Sequence, residues 1–106
     1  VKEVREKGVQ HTIDSTLDYL NECDVIYISL DVDSMDPDAT SYGTGTPVKD
    51  GLYPPEVIQM VSSFIKSDKA KVLEICEINP LLDNKNTMAE ITLVILEEII
   101  NLINNA

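Results

Sequence analysis

The sequence predicts an α/β domain built on a parallel sheet, and three observations carry that prediction. Helical and strand patterns alternate along the chain in the order helix, strand, helix, strand, helix. The first strand pattern, the stretch Val25 to Leu30, is apolar on both faces, the mark of a strand inside a parallel sheet. Prolines stand at element boundaries: Pro54 and Pro55 open a helix and Pro80 stops a strand.

Taken in order, Thr12 to Cys23 reads as a short helix with Leu17 and Leu20 on its apolar stripe. Val25 to Asp33 is the first strand. Ser34 to Tyr53 is a long loop holding Gly43, Gly45 and Gly51, three of the chain's four glycines. A loop of that length inside a compact domain is usually functional. Pro54 to about Ser67 is a helix whose apolar face is Val57, Ile58, Val61, Phe64 and Ile65. Lys71 to Asn79 is the second strand. Thr87 to Asn104 is the last helix, with an apolar arc wide enough for burial or a subunit interface. Two strands leave both edges of a parallel sheet open, and the first residue is not Met. We therefore expect this chain to be part of a larger domain.

Composition narrows the function. The 106 residues are 43% hydrophobic, which argues against a disordered tail. Eight basic against 19 acidic side chains give a net charge of −11. That balance argues against nucleic-acid and anionic-membrane partners, both of which need basic patches. No apolar run has the length of a membrane span. The expected setting is the cytoplasm, with Cys23 and Cys76 as buried free thiols rather than a disulfide.

Three motifs carry chemistry. The first is Asp31-Val32-Asp33, followed by Asp36-Pro37. On an extended strand Asp31 and Asp33 would share a face at its carboxyl end, where α/β sheets place ligands. Two adjacent carboxylates repel unless a cation or a shared proton lies between them, and Mn²⁺ or Mg²⁺ suits such oxygen donors. The aspartates could equally cap the loop with no ion. Asp36, before a proline, reads as a turn former. The second motif is Tyr42-Gly43-Thr44-Gly45-Thr46-Pro47, whose small residues let backbone approach a ligand. The third is Glu77-Ile78-Asn79-Pro80. A carboxylate in that apolar context calls for a cationic partner, and a guanidinium binds it in two-pronged fashion. Glu74, three residues earlier, falls on the opposite face and reads as structural.

Together these motifs resemble the C-terminal part of the ureohydrolase family, which includes arginase, agmatinase and formiminoglutamase. The family pattern is Ser-x-Asp-x-Asp-x-x-Asp-Pro, then Gly-Thr-Gly-Thr-Pro with a following Gly-Leu, then Glu-x-Asn-Pro. Here these are Ser29 to Pro37, Gly43 to Pro47 with Gly51-Leu52, and Glu77 to Pro80. Leu82-Asp83, Met88-Ala89-Glu90 and the long last helix also resemble the family's C-terminus.

The resemblance implies a three-layer α/β/α fold with a central parallel sheet, residues 1–106 being the C-terminal part of a single domain whose N-terminal part is absent. It implies a dinuclear Mn²⁺ site in which Asp31 bridges the ions and Asp33 binds one. It makes Asp31, Asp33 and Glu77 catalytic, with Glu77 holding the guanidinium of a small-molecule substrate and Thr46 close to it. Metal-activated water would attack the guanidinium carbon to give an amine and urea. Arginine is the favoured substrate, with agmatine or formiminoglutamate as alternatives, and the family's trimers or hexamers suggest a homo-oligomer. The family's other ligands, a His and an Asp-Ala-His-x-Asp motif, have no match here. His11 reads as a surface residue before the first helix. The chain alone is therefore expected to be inactive and poorly stable.

Two other readings compete. A haloacid dehalogenase-type phosphohydrolase also uses Asp-x-Asp after an apolar strand, but wants Thr or Val where this chain has Met35. A non-catalytic acidic α/β interaction module, docking through its last helix, requires the carboxylates to be idle.

Overall fold

A computed structural model describes residues 1–105. The elements are α1 (Lys2–Lys7), α2 (Val9–Tyr19), β1 (Ile26–Asp31), a 3₁₀ turn (Val32–Ser34), α3 (Pro54–Ile65), β2 (Ala70–Cys76) and α4 (Thr87–Asn104). The α/β class stands. β1 and β2 pair in parallel, joined by the crossover through α3, with Ser29 opposite Glu74 and Asp31 opposite Cys76.

The core lies on one face of this sheet. Ile26, Ile28 and Leu30 point inward, and Leu30 joins Val32, Met35, Val57, Val61, Met88, Ile95 and Ile99 in one buried cluster. Val57 and Val61 are one turn apart on α3, Ile95 and Ile99 one turn apart on α4. Each stripe therefore meets the other and the sheet. Burial of each such side chain contributes about 1.5–3 kcal/mol.

Several boundaries differ from the sequence expectation, each for a local reason. The helix expected over Thr12 to Cys23 is α2, which starts earlier, at Val9, and ends at Tyr19; a short helix, α1, precedes it and is separated from it by Gly8 at φ 92°. His11 consequently lies inside α2, where it is exposed. β1 ends at Asp31 rather than Asp33, since the next three residues wind into the 3₁₀ turn. β1 is buried on one face only: Val25 just before it and Tyr27 within it are 59% and 57% exposed. β2 stops at Cys76, because Glu77 takes a positive φ of 69°. α3 closes at Ile65. Cys23 is exposed, in the turn after α2, and Cys76 is half-buried, so only the expectation of free thiols stands. No described helix is long and apolar enough to cross a membrane.

The long loop is closed at its base. Met35 and Leu52 form an isolated parallel bridge, with the Leu52 N–H donating to the Ser34 carbonyl and the Asp36 N–H to the Leu52 carbonyl, both at 2.8 Å. Gly51 sits inside this base with no room for a side chain. A Cβ there would lie 2.6 Å from the Asp36 nitrogen and 2.7 Å from the Met35 carbonyl carbon. From outside, Arg5 of α1 clamps the same point. Its guanidinium donates to the Gly51 carbonyl at 2.9 Å, pairs with Glu56 and lies 4.6 Å over the Tyr53 ring. Gly51→Ala should therefore lower the unfolding free energy by about 1–3 kcal/mol, the usual cost of overpacking. A urea midpoint equal to that of the parent protein would contradict the packed base.

Candidate metal and guanidinium site

The carboxyl ends of both strands meet one end of the loop, and most of the chemistry-bearing residues collect there. Asp31 closes β1. Its Oδ1 accepts the Asp33 N–H at 3.0 Å, and the Ser34 hydroxyl donates to the Asp31 carbonyl at 2.7 Å. Short polar side chains of this kind draw backbone out of a ladder and into a turn. That turn, rather than strand alternation, brings the two aspartates together. The same-face geometry expected from an extended Asp-x-Asp is replaced by a carboxylate that caps the turn carrying its neighbour.

Asp31 is perturbed by its surroundings. Burial pushes its carboxyl above the usual aspartate range. The Asp33 amide works against that shift, and the Asp33 carboxylate beside it raises the carboxyl further. Asp33 in turn accepts the Thr46 hydroxyl on Oδ2 at 2.6 Å. The structure thus joins the first motif to the Gly43–Pro47 loop through a single hydrogen bond. Each aspartate keeps its opposite oxygen clear of protein donors among the described residues.

The donor chemistry fits a hard divalent cation: two crowded carboxylates, one held above its ordinary pKa by desolvation, each with a free oxygen. It fits only half of a site. Among the described residues no group of three or more His, Cys, Asp or Glu side chains is placed to hold a metal. His11, on α2, lies 3.4 Å from the Ser15 hydroxyl one turn away on the same helix.

Glu77 follows Cys76, the register partner of Asp31, so it emerges at the same end of the sheet. Its positive φ turns the chain out of the ladder and leaves the carboxylate exposed. Glu74 is on the open sheet face, held by the Ser29 hydroxyl at 2.7 Å, which lowers its pKa. Asp36 is a turn former, as expected, and a buried one. Its carboxylate accepts the Asp38 and Asp50 amides at 2.8 Å each, tying the two arms of the loop together.

Sequence reasoning missed two residues that shape this end of the molecule. Ser41 is buried, donates to Asp83 at 2.6 Å and accepts the Gly43 amide at 3.0 Å. Asp83 also takes the Met88 and Ala89 amides at 2.9 and 3.0 Å, which caps the first turn of α4. The Asn79 amide donates to the Gly43 carbonyl at 2.7 Å, joining the third motif to the second.

Comparison with known proteins agrees with this geometry. The Arginase family model matches residues 1–101. An arginase from Bacillus subtilis (strain 168) is 33% identical over 98 residues, 92% of this chain and 33% of the relative. The crystal structure of Helicobacter pylori arginase superposes with a TM-score of 0.84 at 33% identity, covering 96% of this chain and 34% of that one. Proclavaminate amidino hydrolase from Streptomyces clavuligerus superposes with a TM-score of 0.83 at 28% identity, covering 95% and 33%. The chain spans about a third of the length of the curated relatives it matches.

The loop's carboxylates give this end of the molecule an acid sensitivity. The Asp38 amide, then that of Asp50, holds Asp36 below its ordinary pKa against burial. Burial pushes Asp83 up, but the Ser41 hydroxyl and the Met88 and Ala89 amides outweigh it, so Asp83 is lowered too. A carboxyl lowered by folding stabilises the native state above its unfolded pKa of about 3.9. That contribution is lost as the pH falls through the lowered native value. Asp36→Asn should destabilise the protein near neutral pH and flatten the loss of stability below about pH 4, read from denaturant midpoints across that range. An unchanged acid slope would show that Asp36 is not held by these amides.

Proposed function

This chain belongs to the arginase family, and we propose that it carries half of the dinuclear Mn²⁺ site and the guanidinium clamp of a ureohydrolase. The reaction proposed is arginase-like, hydrolysis of L-arginine to ornithine and urea, with agmatine or formiminoglutamate as the alternative substrates. The observation that carries the reading is the Asp31–Asp33–Thr46 connection, which sets the carboxylate pair against the glycine-rich loop at the sheet end where Glu77 emerges.

Asp31 and Asp33 would hold the metal, Asp31 bridging two ions and Asp33 binding one. When bound, the Mn²⁺ pair supplies the Lewis acidity that makes water a nucleophile at neutral pH. The chain's own groups supply position. Glu77, exposed and turned out of the sheet, takes the substrate guanidinium through paired charge-assisted hydrogen bonds. Thr46 fixes one Asp33 oxygen and so leaves the other for the ion, while its loop brings it beside the substrate. The remaining ligands, a His and an Asp-Ala-His-x-Asp motif in the family, would come from a part that this chain does not contain, so residues 1–106 alone would be inactive.

The exposed surface supports that picture. The open sheet face carries Tyr27 and Val72, and the outer side of α4 carries Leu93, Val94, Ile100 and Ile103, each at least 44% exposed. The sheet face suits cover by the rest of a larger domain. The α4 stripe suits a contact in a homo-oligomer, a trimer or hexamer. Two free cysteines fit a cytoplasmic protein.

The complete gene product, loaded with Mn²⁺, should release urea from arginine. Asp31→Ala, Asp33→Ala and Glu77→Ala should each lower the rate about a hundredfold or more. Chelation should abolish activity and added Mn²⁺ restore it. Release from agmatine alone would move the substrate assignment, and no urea from either compound with metal bound would overturn it.

A further inference from the structure

We propose that Asp83 is a positioning residue for the Gly43–Pro47 loop, acting through the buried hydroxyl of Ser41. The hydrogen bonds run in one direction across the site. Asp83 accepts Ser41 Oγ at 2.6 Å, Ser41 Oγ accepts the Gly43 amide at 3.0 Å, and the Gly43 carbonyl accepts the Asn79 amide at 2.7 Å. Two residues beyond Gly45's neighbour Thr44, the loop returns to the carboxylate pair, where Thr46 donates to Asp33 at 2.6 Å. The loop is thus held on one side by the start of α4 and on the other by the 3₁₀ turn.

Packing makes this hold tight. Ser41 is 6% and Thr44 2% exposed and Asp83 is half-buried, so the serine end of the link is shielded from water, which would otherwise compete for its hydrogen bonds. Gly43 rides directly on the anchor: a Cβ there would lie 2.8 Å from Asp83 Cγ and 2.8 Å from Met88 Cβ. Only glycine lets the backbone come this close. Asp83 also accepts the Met88 and Ala89 amides, so its carboxylate is oriented by the first turn of α4 before it meets Ser41. A rigid helix start therefore sets the height of the loop over the strand ends. An Asp83 that served only as a helix cap would need neither the buried serine nor the glycine contact.

The catalytic arm of this inference rests on the ureohydrolase reading, with Thr46 and Glu77 at the substrate. The structural arm does not. In the complete gene product, Ser41→Ala leaves the α4 cap intact and cuts the link to the loop. It should speed amide hydrogen exchange at Gly43 and Asn79 by about tenfold, the equivalent of one lost buried hydrogen bond, while β1 and the Met88 and Ala89 amides keep their protection. It should raise KM for the guanidino substrate by a similar factor with a smaller change in kcat. Asp83→Ala should do the same and also loosen Met88 and Ala89. The double variant should be no worse in KM than Asp83→Ala, because both changes break one chain of contacts. Unchanged exchange at Asn79 in Ser41→Ala would overturn the proposal and leave Asp83 a helix cap. Faster exchange with unchanged KM would overturn its role toward substrate. A parent protein that turns over no guanidino compound would refute the ureohydrolase reading, and the exchange result would still decide whether Asp83 sets the loop.

Discussion

Repulsion between two adjacent carboxylates is the constraint on which the rest of this structure depends. Asp31 is partly desolvated and stands beside Asp33, and both effects push against ionisation of Asp31. A protein can relieve that tension by separating the groups, by protonating one, or by holding a cation between them. Here the backbone does the reverse of separation. The Asp33 amide bonds to the Asp31 side chain, which tightens the turn and keeps the charges together. Crowding of this kind, at the carboxyl ends of parallel strands, is where pKa perturbation marks function.

The loop from Met35 to Leu52 is built to hold that pair in place. Its base is a bridge around Gly51, its arms are tied by the Asp36 carboxylate, and its tip is bonded to Asp33 through Thr46. Arg5, Asp83 and Asn79 then fasten it to α1, to the start of α4 and to the turn after β2. A long irregular segment ordinarily costs stability through its backbone entropy. Here nearly every turn of it returns a hydrogen bond or a buried contact. The glycines at positions 43 and 51 are explained by two close approaches, one to Asp83 and Met88 and one to the Met35–Asp36 backbone.

Much of this was legible in the sequence, and the remainder was hidden for identifiable reasons. α4 was expected over Thr87 to Asn104 and lies there, because its apolar periodicity is long and its ends are polar. The parallel α/β order was readable from the alternation of patterns. The strand ends were not: Asp31 halts β1 through a side-chain bond to its own neighbour, and Glu77 halts β2 through a backbone conformation that residue type does not announce. α1 and the first turn of α2 were overlooked because residues 1–11 carry few apolar side chains and so show no helical stripe. Ser41 and Asp83 stand 42 positions apart, so no local pattern pairs them. The one available signal was Asp83 itself, an acidic residue just ahead of a long helix, which reads as a cap and only then prompts the question of what else it holds.

We propose that Asp31 and Asp33 are metal ligands rather than idle turn residues. Titration of Mn²⁺ into the metal-free complete gene product, followed by calorimetry and electron paramagnetic resonance, tests it most directly. Two ions per protomer with a spin-coupled signal are expected, with loss of that coupling in Asp31→Ala and weakened binding of one ion in Asp33→Ala. Equal stoichiometry, affinity and signal in the parent and both variants would contradict it.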